Sequence, residues 1–103
     1  IYRDRNWGLA DTIIDGVTKI TSEFDKAIVL EDDLVSSPFF LKYMNEALDH
    51  FKEIKDVYHI SGWNYPFYND QLGDVFLWRL MNCWGWATWE DRWSSFRKDE
   101  FNR

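Results

Sequence analysis

The chain has 103 residues, 46% hydrophobic and 29% charged, enough for one small domain with a core and too short for two ordinary ones. A net charge of −6 leaves no basic stripe of the kind nucleic-acid binders carry, and the single cysteine excludes an internal disulfide and argues against a Cys-based zinc site. Aromatic residues reach 19%, with seven Trp, which suits either core packing or stacking on sugar rings.

Residues 1 to 6 are not the apolar core of a signal peptide. The longest apolar runs, such as Ala27 to Leu30, are far too short to span a bilayer. The chain opens without Met and closes without an obvious stop, so it is expected to be an excised piece of a longer protein.

Leu9, Ile13, Val17, Ile20 and Phe24 recur at spacings of three and four, one face of an amphipathic helix over 9 to 24. Asp11, Asp15, Lys19 and Glu23 occupy much of the other face. Ala27 to Leu30 is a continuous apolar run, as a strand buried on both faces requires. Ser36 and Ser37 before Pro38 read as an N-cap followed by proline in a first helical turn. That second helix carries Phe40, Tyr43, Met44, Ala47, Leu48 and Phe51 on one side. Val57 to Ser61 reads as a second strand, and residues 62 to 74 as an irregular loop. Val75 to Leu80 is expected to form a third strand, and Ala87 to Phe96 a helix with Trp89, Trp93 and Phe96 on one face. The order predicts an α/β sandwich with a mixed sheet and flanking helices. His50 is placed on a helix surface, His59 in a strand and Cys83 in the core as an inert small residue, none with a role.

Glu31-Asp32-Asp33 closes the first strand, the end where open α/β sheets collect ligands. Three adjacent carboxylates repel one another. Hard cations prefer oxygen donors and are often held by one or two carboxylates plus substrate phosphates. In extended chain Glu31 and Asp33 would share a side, with Asp32 opposite. The same acids also fit a turn and cap ahead of a helix, where its dipole favours negative charge. The residues alone leave both readings open.

Around this trio stand further blocks: Asn6-Trp7-Gly8 before the first helix, Ile28 to Leu34, Pro38-Phe39-Phe40 with Tyr43, Ser61-Gly62-Trp63-Asn64, and Trp84-Gly85-Trp86. In this order they resemble the GT-A glycosyltransferases, above all the N-acetylglucosaminyltransferase I group and its bacterial relatives. The family often has Asp where Phe39 stands, and Ala where Gly62 stands. The resemblance implies a partial GT-A fold, with 1 to 103 as its metal-binding and acceptor-side portion. It implies Mn²⁺ or Mg²⁺ as cofactor, with Asp33 as direct ligand and Asp32 beside it. Glu31 and Asp32 would contact the donor sugar and ribose. Trp63, Asn64, Trp84, Gly85 and Trp86 would line the substrate pocket, with core packing the other reading for Trp63 and Trp86. The implied partners are a nucleotide-sugar donor and a carbohydrate or glycoconjugate acceptor, with neither nucleic acid nor a membrane-spanning segment in this chain. The cytoplasm is the expected location, with the membrane surface as the second option.

The family's base-binding portion would lie before Ile1. Its general base belongs to a Trp-Asp-Asp-Trp block, which Trp89-Glu90-Asp91-Arg92-Trp93 resembles but follows Trp86 too closely to match. Asp91 is the in-chain candidate base, while the resemblance puts the base beyond Arg103. The implied reaction is metal-dependent transfer from a nucleoside-diphosphate sugar, UDP-linked by preference, with inversion; the isolated piece is expected to be inactive. A receiver domain needs a later strand ending in Asp and another ending in Lys, and neither is present. A non-catalytic carbohydrate-binding module and a degenerate transferase are the competing expectations. Far-UV circular dichroism should show the two long helices clearly, since an almost pure β spectrum would favour the binding module.

Overall fold

The computed structural model describes residues 4–65 and 70–97. In chain order the elements are α1 (Leu9–Phe24), β1 (Lys26–Val29), α2 (Phe40–His50), β2 (Ile60–Ser61), β3 (Trp86–Trp89) and α3 (Glu90–Trp93).

The expected first helix forms over its full length. Gly8, at φ 81°, breaks the chain into it. Asp25 ends it in the left-handed region at φ 73°, its N–H donating to Thr21 O at 2.8 Å, and a short polar side chain tolerates that conformation. Asp25 O then accepts from Glu90 N at 2.7 Å, which ties this corner to α3. The face turned inward is narrower than the periodicity suggests. Val17 and Thr21 are buried, whereas Leu9, Ile20 and Phe24 remain exposed.

The sheet has the order β1-β3-β2, and both pairings are antiparallel. A mixed sheet is therefore not what the described residues form. The reason lies in the connections. α2 carries the chain from β1 to β2, so these two run in one direction. β3 then enters between them and keeps them from pairing with each other. Trp86, Ala87, Thr88 and Trp89 are all buried, as a central strand requires.

The described residues depart from the sequence pattern in further places, and of Val57 to Ser61 only Ile60–Ser61 is strand, with His59 just before it. Val75 to Leu80 is not a strand; its apolar residues are largely exposed and no sheet edge takes it up. Ala87 to Thr88 is strand rather than helix, and α3 has only four residues. The aromatic spacing was misleading because Trp89 faces α2 from the sheet, while Trp93 and Phe96 stack on each other at 4.8 Å on the other side. The α2 start is also later. Ser37 Oγ accepts from Phe39 N at 3.2 Å and Ser37 O from Phe40 N at 3.0 Å, so the serine closes the turn before the helix. Of the expected 62–74 loop, residues 66 to 69 lie outside the described residues.

Side chains alternate across a sheet, and this sets the layers. Ala87 and Trp89 face α2, where Met44, Ala47, Leu48 and Ile60 complete the core. Trp86 faces the other way, its ring 5.9 Å from that of Trp93, which donates Nε1–H to Thr18 Oγ1 of α1 at 3.0 Å. The result is an α/β sandwich, with α2 on one face and α1 and α3 on the other.

Arg92 fastens the core. Its side chain is buried, with the guanidinium carbon 3.9 Å from the Trp89 ring centroid. Its Nη2 lies 2.9, 2.8 and 3.1 Å from the carbonyl oxygens of Phe51, Lys52 and Ile54 at the α2 C-terminus. A cation there offsets the negative end of the helix dipole and holds the carbonyls of the turn that follows α2. Trp89 Nε1 adds a hydrogen bond to Leu48 O at 3.2 Å. Replacing Arg92 by Ala should destabilise the fold by about 2–4 kcal/mol in urea unfolding, because three part-buried carbonyls lose a charged donor. Lys, a point charge without the planar fork, should restore only part of that.

Candidate functional site

Because β1 and β2 run in the same direction on either side of β3, their carboxyl ends reach the same edge of the sheet. The register makes this concrete: Trp86 pairs with Val29 on one side and Ser61 on the other. Three segments therefore converge there. They are the 30–34 turn after β1, Gly62-Trp63 after β2, and Trp84-Gly85 before β3.

Two glycines make the convergence possible. Gly62 N donates to Gly85 O at 2.8 Å. A Cβ on Gly62 would sit 2.7 Å from Phe40 Cε2 and 3.2 Å from Gly85 O. Gly85 has φ 76°, and a Cβ there would lie 3.0 Å from the same Phe40 ring. The tight backbone approach that glycine beside Trp suggests is present, and Phe40 of α2 fills the space that side chains would need.

Above this pinch lies an apolar cavity of about 330 Å³, lined by Leu30, Leu34, Val35, Phe40, Trp63 and Trp84 among others. Trp63 and Trp84 meet at 4.7 Å between ring centroids, and Tyr65 stands edge-on to Trp63 at 5.0 Å. Trp84 is 53% exposed, so one aromatic surface faces solvent. Tyr43 forms part of the floor. Its hydroxyl donates to Ser61 O at 2.9 Å, and burial raises its pKa above the usual tyrosine value.

Glu31, Asp32 and Asp33 occupy the turn between two lining residues, Leu30 and Leu34. Strand geometry does not continue into them: β1 ends at Val29, and Leu34 N donates to Glu31 O at 3.2 Å. Alternation of Glu31 and Asp33 on one strand face is therefore replaced by a turn. Glu31 is half-buried and both aspartates are exposed. Among the described residues no side chain forms an ion pair or hydrogen bond with any of the three. Nor do three His, Cys, Asp or Glu converge as a preformed cage among those residues. A hard cation held jointly by one or two carboxylates and a ligand's phosphates needs no such cage, and uncommitted carboxylate oxygens are the donors it takes. The donor set fits.

Several sequence-predicted site residues lie elsewhere. Trp86 is core and faces α1 and α3, away from the cavity. Gly85 shapes the edge through its backbone. Asn64 is exposed, with its amide donating to Tyr65 O at 2.9 Å, and it borders a neighbouring cleft instead. Asp91 sits beyond Trp89, which pairs with Lys26 at the opposite end of β1 from the acidic turn. Three residue steps of strand, about 10 Å, separate the two ends of this pairing before either connection begins. Asp91 is also engaged. Lys55 Nζ hydrogen-bonds it at 2.7 Å, and this, with Arg92 nearby, holds its pKa below the usual carboxylate value. The structure therefore does not bring Asp91 to the site as a base. Cys83, expected in the core, is exposed on the loop before Trp84.

Conversely, Leu30, Leu34, Phe40 and Tyr43 belong to the cavity although their sequence signal is that of core residues. Asn82 had no signal at all. Its amide donates to Trp63 O at 3.1 Å, and its own carbonyl accepts from Ser61 Oγ at 3.1 Å, so it holds the Trp63 segment against β2.

Compared with protein-family models, with curated proteins and with solved structures, the chain matches none. What the fold defines is a small α/β domain with a three-stranded antiparallel sheet and a solvent-exposed aromatic edge. Gly62→Ala should lower stability by about 1–3 kcal/mol, because the pinch has no room for a methyl group. Thermal melting and the tryptophan emission of the Trp63–Trp84 pair will show it together, whereas Gly16→Ala, with open space around it, should not lower stability.

Proposed function

We propose that this chain is the metal-binding and acceptor-side portion of a glycosyltransferase that moves a sugar from a nucleoside diphosphate, UDP by preference, to an acceptor hydroxyl. The carrying observation is the run of three carboxylates without side-chain partners among the described residues, held on a turn between residues that line an aromatic cavity. Leaving such charges adjacent and unpaired costs stability, and a bound cation offsets that cost. The GT-A resemblance of the ordered blocks supports the same reading. The order of β1 and β2 around β3 supports it further, since it collects the blocks after Leu30, Ser61 and Asn82 at one edge.

Asp33, with Asp32 beside it, would hold Mg²⁺ or Mn²⁺ there. When bound, that ion supplies neutralising charge for a diphosphate leaving group. Glu31 and Asp32 would accept hydrogen bonds from ribose and sugar hydroxyls. Trp63 and Trp84 offer apolar faces to a pyranose ring and exclude water from one side of it. Such fixed groups act chiefly by orienting the reactants. The base that deprotonates the acceptor hydroxyl is not Asp91, which is tied to Lys55 at the far end of β1. Inversion at the anomeric carbon follows from the resemblance.

A binding-only role, as a degenerate transferase or saccharide-binding domain, is the second reading. It is favoured by the absence of any carboxylate from the cavity lining among the described residues. Calorimetry of the full-length protein with UDP should show binding that requires Mn²⁺ or Mg²⁺ and is lost on chelation. Asp33→Asn should reduce UDP-sugar turnover at least a hundredfold while leaving the melting temperature unchanged or higher, as relief of like charge predicts. Turnover by Asp33→Asn equal to wild type would refute the proposal.

A further inference from the structure

A second and larger cleft, of about 780 Å³, adjoins the first along Tyr43, Gly62 and Trp63. It lies between the β2 side of the sandwich and the 74–82 segment, the apolar stretch that the sheet does not take up. Its volume is in the range of small-molecule sites. Phe76, Trp78 and Val57 supply apolar walls, with Phe76 and Trp78 edge-to-face at 6.1 Å and Trp78 53% exposed.

The polar lining has a consistent pattern. Tyr43 spends its hydroxyl hydrogen on Ser61 O, and Ser61 spends its own on Asn82 O. Asn82 and Asn64 each give one amide hydrogen to a backbone carbonyl, of Trp63 and Tyr65 respectively. What remains toward a ligand is mostly acceptor: the Tyr43 and Ser61 oxygens and the two amide oxygens, none of which receives a hydrogen bond from a described residue. Each amide keeps one hydrogen. His59, half-buried in the same wall, has its pKa lowered by burial, which favours the uncharged imidazole. The charged lining residues are Asp56 and Asp74 against Arg79, an unfavourable balance for an anion.

Aromatic faces beside uncommitted acceptors, with no net positive charge, match a ligand that is uncharged, has apolar ring faces and donates hydrogen bonds around its rim. We infer that this cleft binds a neutral saccharide of at least two units, running from the Trp63 cavity toward Trp78. In the transferase reading, on which this role rests, it is the acceptor.

The test uses the full-length protein with lactose, maltose and N,N′-diacetylchitobiose as probes, followed by ligand-observed NMR and tryptophan fluorescence. At least one should bind, and Trp78→Ala and His59→Phe should each weaken that binding tenfold or more, with folding checked by circular dichroism. Absence of binding by all three, binding unaffected in both variants, or tighter binding of a sulfated heparin disaccharide would overturn the inference. Wild-type binding of Mn²⁺ with UDP is measured separately. If that fails while a disaccharide binds at Trp78, the transferase reading falls and the saccharide site stands. If UDP binds and no disaccharide does, the cleft assignment falls alone.

Discussion

The hydrogen bond from Gly62 to Gly85 is the constraint from which the aromatic edge of the sheet follows. It extends the β2–β3 pairing one step beyond the last strand residues, at a point where neither partner has a side chain. The Phe40 ring enters the space thus left, so α2 is drawn against the sheet edge and not only against its face. Trp63 and Trp84 are the next residues outward on their respective chains. Their contact is a consequence of the pinch beneath them. The acidic turn follows from the same arrangement, because Leu30 reaches toward Gly85 and thereby sets where residues 31 to 33 begin.

The opposite end of the sheet is built differently. There Arg92, Trp89 and the α2 carbonyls form a buried knot, with Asp25 O closing onto Glu90 N. Charge is used at this end to satisfy backbone, and the Lys55–Asp91 pair adds an exposed bridge of small energetic weight. Among the described residues, one end of the sheet thus has the Asp91 carboxylate committed to protein partners, and the other has three that none of these residues engages. That asymmetry distinguishes a structural carboxylate from a candidate ligand-binding one more clearly than residue type does.

The parts legible in the sequence are those set by local periodicity. α1 and α2 announce themselves through spacings of three and four, and β1 through four apolar residues in succession. β3 was not legible, because Trp86-Ala87-Thr88-Trp89 is too short to separate from a helical turn by pattern. Its place in the sheet depends on Val29 and Ser61, partners far away in sequence. Val75 to Leu80 had the composition of a strand, yet it pairs with neither edge strand, β1 or β2, among the described residues. The acidic trio was legible as a motif, and its immediate neighbours as lining were not, since Leu30 and Phe40 carry the same signal whether they face a core or a cavity. Asp91 stood in a plausible block, but its position relative to β1 could not be read without the register. Asn82 acts through backbone carbonyls, which leave no trace in side-chain pattern.

The exposed position of Cys83 has a practical side. It is the single thiol of the chain, and its neighbour in sequence is Trp84, half of the aromatic pair. A maleimide dye or nitroxide would therefore attach at one place, without engineering, beside the surface of interest. Indole quenches many such dyes at contact, so occupancy of the Trp63–Trp84 face would register as a change in brightness or in spin-label mobility. The molecule carries its own reporter position.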